Sequence, residues 1–221
     1  MIITIDGPAG AGKSTVARAL ARRLGFRHLD TGAMYRAVAL AGLKRGIDWS
    51  DPQALADLAR QVHIEWDGQR LLLDGQDVTA TVRTSEVTRV TRYAADNPEV
   101  RAYLVELQRA LADGHDVVTE GRDQGTVAFP DAACKFFLTA SAEERARRRA
   151  ADLAAQGETV DLQRVRQAIE QRDREDATRP VGPLARAPDA IEISTDGRSV
   201  EEVVEQLAAL VEARRAGRRA S

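Results

Sequence analysis

Eight consecutive residues near the N-terminus, Gly7-Pro8-Ala9-Gly10-Ala11-Gly12-Lys13-Ser14, constrain this chain more than any other stretch. They fit G-x-x-x-x-G-K-[ST], the P-loop pattern, and each residue type in it has a mechanical reason. Glycines let backbone N–H groups converge on phosphate oxygens with no Cβ in the way. A helix N-terminus behind the loop adds unpaired donors and a favourable dipole. Lys13 is placed to reach β- and γ-phosphates as a mobile point charge, and the Ser14 hydroxyl to ligate Mg²⁺. The flanks agree. Ile2–Asp6 is a short apolar run that reads as a buried strand, and Val16, Ala17, Leu20, Ala21 and Leu24 recur at helical spacing, giving a helix over Ser14–Leu24. The plain alternative is a Gly-rich turn that binds nothing, but such a turn needs neither the Lys-Ser pair nor the strand and helix around it.

The rest of the chain continues the alternation of a parallel α/β sheet. Strands are expected at Arg27–Asp30, Asp116–Thr119, Lys135–Leu138 and Ala190–Ile193. Helices are expected at Ala33–Lys44, Glu86–Tyr93, Pro98–Leu111, Ala142–Ala155, Leu162–Arg174 and Val200–Glu212, with a frayed Arg-rich tail beyond. Residues 62–80 differ: Val62, Ile64 and Trp66 alternate with polar residues, and Asp67-Gly68 and Asp74-Gly75 are turn dipeptides. They read as a small antiparallel hairpin set into a parallel fold.

A chain of 221 residues suits one α/β domain with small appendages. Aromatic residues make up only 4%, so aliphatic side chains and Ala must build the core. The formal net charge of −2 lacks the basic bias of a nucleic-acid-binding domain. A single cysteine, Cys134, excludes an internal disulfide and reads as a buried thiol. No stretch has the length and apolarity of a membrane span. With structure starting at Ile2, cytoplasmic residence is the expectation.

The P-loop alone does not name a reaction. A switch GTPase also needs a guanine-reading segment in which Asp follows Lys by two residues, and none of Lys13, Lys44 and Lys135 has one. A large motor ATPase needs more chain. A small-molecule kinase remains, and three groups of residues bear on its acceptor. Leu29-Asp30-Thr31-Gly32-Ala33-Met34-Tyr35-Arg36 follows the second strand, at the edge where open α/β sheets bind ligands. There Thr31 can cap the next helix and Arg36 can reach an acceptor phosphate, or simply line a solvated helix face. Thr119-Glu120-Gly121-Arg122-Asp123 puts an Arg–Asp pair at the same edge: Arg122 suits a phosphate, Asp123 an amine, and Glu120 either a metal-bound water or a hold on the P-loop region. A surface turn with a weak ion pair is the alternative. Third, arginines crowd the helices beyond Ala142; Arg148, Arg172 and Arg179 are the expected charge-stabilising residues, while Arg145, Arg147 and Arg149 read as mostly surface among glutamates.

At this point the chain resembles the bacterial cytidylate kinases over nearly its whole length. The resemblance rests on I-T-I-D-G-P-A-G-A-G-K-S-T from Ile3, L-D-T-G-A-M-Y-R from Leu29, E-G-R-D-Q-G-T-V-A-F-P-D-A from Glu120 and R-D-R-E-D-A-T-R-P-V-G-P-L from Arg172. It implies a P-loop nucleoside monophosphate kinase fold: an α/β core with a five-stranded parallel sheet, helices on both faces, a helical lid and a small antiparallel β insertion. The implied division is a core (about 1–61, 114–141 and 188–215), an insert lobe (about 62–113) and a lid (about 142–187). The implied reaction passes the γ-phosphoryl group of ATP to CMP, and to dCMP, with Mg²⁺ as cofactor and a monomer as the working unit. Nucleic acid and membrane are not implied as partners. Gly7, Pro8, Ala9, Gly10, Ala11, Gly12, Lys13, Ser14 and Thr15 would hold ATP, with Ser14 on the metal. Thr31 would contact the acceptor nucleotide, and Arg36, Arg122 and Arg179 its phosphate. Arg101 and Asp123 would read the cytosine edge, and Arg172 and Asp176 would meet the ribose or adjoining phosphate. Lys13, Arg122, Arg148 and Arg179 would carry catalysis, Arg148 from the lid. Three positions depart from the family's pattern: Glu120 where Asp is usual, Arg92 (with Ala95 nearby) where a small hydroxyl residue is common, and Glu175 where a basic residue can occur. Rival readings are a kinase for another monophosphate or an alcohol, and a regulator that binds ATP without turnover.

Overall fold

A computed structural model describes residues 1–67, 69–155, 157 and 160–219. In chain order the elements are β1 (Ile2–Asp6), α1 (Lys13–Leu24), β2 (Arg27–Asp30), α2 (Thr31–Arg45), α3 (Pro52–Gln61), β3 (Ile64–Trp66), β4 (Leu71–Leu73), β5 (Gln76–Asp77), α4 (Ser85–Asp96), α5 (Pro98–Ala112), β6 (Val117–Glu120), β7 (Cys134–Thr139), α6 (Ala142–Ala155), α7 (Leu162–Thr178), β8 (Ile191–Ser194) and α8 (Val200–Arg219). A 3₁₀ turn spans Thr81–Arg83, and a π-helical turn spans Gln124–Ala128. Five strands form the parallel sheet, in the order β2-β6-β1-β7-β8, with helices on both faces. The expected α/β class is borne out.

The chain forms two compact units. The first comprises Met1–Phe26 and Asp116–Ser221. Its core joins strand residues Ile3, Ile5, Val118, Phe136, Leu138 and Ile193 to Val16, Leu20 and Ala21 of α1 and to Val203, Leu207 and Val211 of α8. β1 and β6, at the centre of the sheet, are buried on both faces, hence their continuous apolar runs, whereas the edge strand β8 buries only Ile193. Each Leu- or Ile-sized side chain so buried contributes roughly 1.5–3 kcal/mol.

The second unit is Arg27–His115. Its centre is α2, buried along almost its whole length through Ala33, Met34, Ala37, Val38, Leu40 and Ala41. The antiparallel piece is a three-stranded sheet, β3-β4-β5, one strand more than the expected hairpin. Its β4–β5 turn is Asp74-Gly75, both at positive φ, as a tight hairpin turn requires. The other turn dipeptide includes Gly68, which lies outside the described residues.

Several boundaries differ from expectation. Helix α3 was not expected, although Asp51-Pro52 is a helix start: the Asp51 carboxylate accepts from the N–H groups of Gln53 and Ala54. Asp30, not Thr31, caps α2, its carboxylate accepting from Ala33 N–H at 2.9 Å. Thr31 is the first helical residue. Helix α7 runs on to Thr178, and α8 continues through the Arg-rich tail to Arg219 instead of ending near Glu212. Ala and Arg are strong helix formers, which favours that continuation. No helix among the described residues is long and apolar enough to cross a membrane.

Candidate active site

In the first unit the loop from Gly7 joins β1 to α1, as the sequence requires. Gly12 is the N-cap of α1 and has no side chain to cap with, and the first turn carries no acidic residue. The helix therefore presents its first N–H groups to an anion instead of satisfying them internally. Lys13 is buried, and its Nζ donates to Pro8 O at 2.7 Å across the loop. Burial, then the nearby Arg122 and Arg172, push its ammonium well below its ordinary range, with Glu120 and Asp6 opposing. Such a cation gains by meeting phosphate. Ser14 Oγ donates to Glu120 Oε2 at 2.7 Å. A hydroxyl and a carboxylate side by side at the loop fit Mg²⁺, which takes one or two protein oxygens and completes its shell with phosphate and water. Thr15, in the first turn of α1, is exposed.

The segment Glu120–Ala128 is shaped by Asp6, at the end of β1. Its two carboxylate oxygens accept from the backbone N–H groups of Gln124 and Gly125, both at 2.8 Å. Gln124 in turn accepts from Thr119 Oγ1 at 2.8 Å. The chain then makes a π-helical turn, closed by Phe129 N–H donating to Gln124 O at 2.7 Å. Turns of this type are rare and recur at functional sites. Asp123, just before it, is buried. Burial pushes the Asp6 carboxyl up to about 6, against the lowering effect of the two N–H donors.

That shift has a testable sign. Between the unfolded value of 3.8 and about 6, the folded chain holds more protons at Asp6 than the unfolded chain does. The contribution of this group to stability is therefore largest below 3.8 and falls by about 3 kcal/mol as pH rises through about 6. Asp6→Asn is expected to flatten this part of the pH–Tm profile, measured against the parent protein. An unchanged slope would show that Asp6 titrates normally.

Three arginines converge on one carboxylate. Asp176, buried on α7, accepts from Arg122 Nε at 2.9 Å and from Arg179 Nη2 at 2.7 Å. Burial alone would raise its carboxyl, but Arg122, Arg179 and Arg172 outweigh it and hold Asp176 below the usual range. Arg172 is close enough to Lys13 to act on its charge. So Lys13, Arg122, Arg172, Asp176 and Arg179, chosen from sequence, form one cationic cluster in this unit. Asp176 braces the arginines with both of its oxygens.

Arg148 lies beside the loop as well. It donates to Thr195 Oγ1 at 3.0 Å and to Thr195 O at 2.7 Å, and pairs with Glu144 at 3.0 Å. Thr195 donates to Ala11 O at 3.2 Å. Arg145 corrects the sequence expectation. It is buried, donates to Ala9 O at 3.2 Å and Ala140 O at 3.0 Å, and pairs with Asp173 at 2.6 Å. It thus ties the loop to α7, one residue from Arg172. Arg147, by contrast, is exposed and pairs only with Glu143 and Glu144 among the described contacts. Arg145, Thr195, Asp6 and Gln124 are the site residues missed from sequence. Asp6 and Gln124 lie inside motifs that carry the resemblance and Arg145 inside the arginine-rich run, but nothing in the sequence singles these residues out.

In the second unit, Thr31 is buried at the start of α2 and Arg36 follows one turn later. Arg36 Nη1 donates to Thr88 Oγ1 at 2.6 Å and Val82 O at 3.4 Å. Arg101 is buried, with its guanidinium 5.4 Å from the ring centre of Tyr35 and Nη1 donating to Ala95 O at 3.1 Å. Arg92 is exposed and lies over the Tyr93 ring at 5.0 Å. Thr31, Arg36 and Arg101 are thus gathered around the N-terminal half of α2.

The sequence is closely similar to known proteins. The family model described as cytidylate kinase matches residues 3–213. The cytidylate kinase of Rhodopirellula baltica is 53% identical over 96% of this chain and 92% of its own length. That of Pelotomaculum thermopropionicum is 52% identical, covering 96% of each chain. Among solved structures, a gluconokinase from Sinorhizobium meliloti aligns with a TM-score of 0.50 at 17% identity, over 99% of this chain and 96% of its own. An uncharacterized protein from Eubacterium ventriosum aligns at 0.52 and 12% identity, over 96% of this chain and 98% of its own. Those two likenesses concern the fold alone. The P-loop, the Arg122–Asp176–Arg179 cluster and a family match spanning nearly every residue lead to one assignment: the chain belongs to the cytidylate kinase family.

Proposed function

We propose that this enzyme transfers the terminal phosphoryl group of ATP to CMP, and to dCMP as a second acceptor, giving ADP and the corresponding diphosphate. The observation that carries the reading is the family match over residues 3–213 together with the P-loop and arginine cluster in one unit. The acceptor is a phosphate that is already anionic, so no strong general base is needed. What the reaction needs is alignment of donor and acceptor and neutralisation of charge on the migrating group.

Each residue then has a role. Gly7 through Thr15 hold the ATP phosphates, chiefly through backbone N–H groups. Lys13 follows the charge that builds on the γ-phosphoryl group. Ser14 and Glu120 would hold Mg²⁺, directly and through water, and the ion would supply positive charge against the phosphates. Arg36, Arg122 and Arg179 hold the acceptor phosphate, and Thr31, Arg172 and Asp176 position the acceptor nucleotide. Asp123 accepts from the exocyclic amine of cytosine, and Arg101 donates to the ring edge. Arg148 serves the transferring group from α6, and α6 with α7 form the lid that keeps water from taking the phosphoryl group. The working unit is a cytoplasmic monomer, by family resemblance.

The test is ADP production with CMP, dCMP, UMP, AMP, GMP and no acceptor. Turnover with CMP and dCMP, and little with the others, is the expected result. Activity with none of them would overturn the reading. Asp123→Ala is expected to raise the KM for CMP roughly 10- to 100-fold, the worth of a charged hydrogen bond, with little change for ATP. Equal losses for both substrates would remove Asp123 from base recognition.

A further inference from the structure

Thr88 sits in the first turn of α4, a polar side chain among many, and nothing in its sequence context marks it. Its hydroxyl has one proton, and that proton is committed: Thr88 Oγ1 donates to Thr84 O at 2.8 Å. Toward Arg36 it can therefore act only as an acceptor, and Arg36 Nη1 donates to it at 2.6 Å. That is a short, charge-assisted contact, strengthened because the same hydroxyl donates onward. Nη1 also donates to Val82 O at 3.4 Å, in the 3₁₀ turn before α4. The same turn sends Arg83 to Asp30, the cap of α2, at 2.7 Å. The beginning of α2, which carries Arg36, is thus tied to the segment that carries Thr88 by an independent ion pair.

A free arginine side chain has much rotamer entropy to lose when it binds. Here the protein has ordered Arg36 in advance, which is how preorganisation strengthens binding. We infer that Thr88 is a positioning residue for the acceptor: its hydroxyl fixes the plane of the Arg36 guanidinium for the acceptor phosphate. This rests on the reading of Arg36 as a phosphate-binding residue.

The experiment compares Thr88→Val, Thr88→Ser and Arg36→Met with the parent. Valine keeps the shape and β-branching of threonine but cannot accept a hydrogen bond. Thr88→Val is expected to raise the KM for CMP on the order of 5- to 20-fold, the worth of one such bond, with the KM for ATP unchanged. Thr88→Ser is expected to restore it. Inhibition by cytidine, which lacks the phosphate, should not move in Thr88→Val, whereas a general disturbance of the unit would shift it. An unchanged KM for CMP in Thr88→Val, beside a large rise in Arg36→Met, would overturn the inference and leave the Arg36 reading standing. A lower KM would also overturn it, by showing that Thr88 holds Arg36 away from phosphate. No effect of Arg36→Met would remove the Arg36 reading, and the inference with it.

Discussion

Replacing Lys13 with methionine is expected to lower turnover by about 10²–10³-fold while leaving the protein folded. The two parts of this result have separate causes. The rate falls because phosphoryl transfer depends on preorganised positive charge, and Lys13 is the buried cation of the loop. The fold survives because methionine matches lysine in length and belongs in a buried position. The sign of the stability change follows from the direction of the Lys13 shift. Burial first, then Arg122, hold the folded ammonium well below the ordinary 10.5. Between the folded value and 10.5 the unfolded chain binds more protons, so the stability contributed by this group rises with pH across that window. Below it, the charged Lys13 is a cost to the empty enzyme. Methionine removes that cost, so Tm at neutral pH should stay level or rise, and part of the alkaline gain should vanish. Thermal unfolding at several pH values, beside the ADP assay, checks both parts. A well-folded Lys13→Met enzyme within about tenfold of parental turnover would overturn the role assigned to Lys13.

The same residue shows why part of the site was legible in sequence. Lys13 works through its immediate neighbours in the chain: a strand before it, a Gly-rich loop around it, a helix after it. Local pattern suffices for that. Arg145 is the opposite case. It belongs to a run in which Arg145, Arg147, Arg148 and Arg149 are all flanked by charge. Only the packing of α6 decides that Arg145 is buried against Ala9 and Asp173 while Arg147 faces solvent. Asp6 is similar, since its partners Gln124 and Gly125 are more than a hundred residues away. Local ambiguity explains the misplaced cap: Asp30 and Thr31 are both good capping residues, and sequence does not say which carbonyl starts the helix. Helix α3 is a different case, because its start signal, Asp51-Pro52, is local and legible in the chain itself. The fold was thus legible where alternation and turn chemistry agree, and the site where its parts lie together in the chain.

Two glycines of the loop should separate backbone strain from steric exclusion. At Gly7, φ is +143°, and a Cβ would lie 2.1 Å from the carbonyl oxygen of Leu138. Leu138 is a fully buried residue of β7, the strand that pairs with β1 through Asp6 and Phe137. Neither strand can yield without breaking the sheet. Gly12, at φ +85°, has only Arg148 Nη1 within 4 Å of a built Cβ, at 3.7 Å, an ordinary contact. Alanine there meets left-handed strain of about 1–2 kcal/mol and little else. Gly7→Ala meets comparable strain plus an overpacked contact, for a total of roughly 2–5 kcal/mol. For a chain of this size that lowers Tm by roughly 10 °C, against a few degrees for Gly12→Ala. Differential scanning calorimetry of the two variants reads the contrast directly. Equal losses would mean that the handedness of the backbone alone sets the requirement for glycine, and that β7 relaxes around Gly7. A much larger loss at Gly7 would mean that the start of the phosphate-binding loop is pressed against the central sheet. The position of its N–H groups, and with it the alignment of ATP, would then be fixed by the core of the protein.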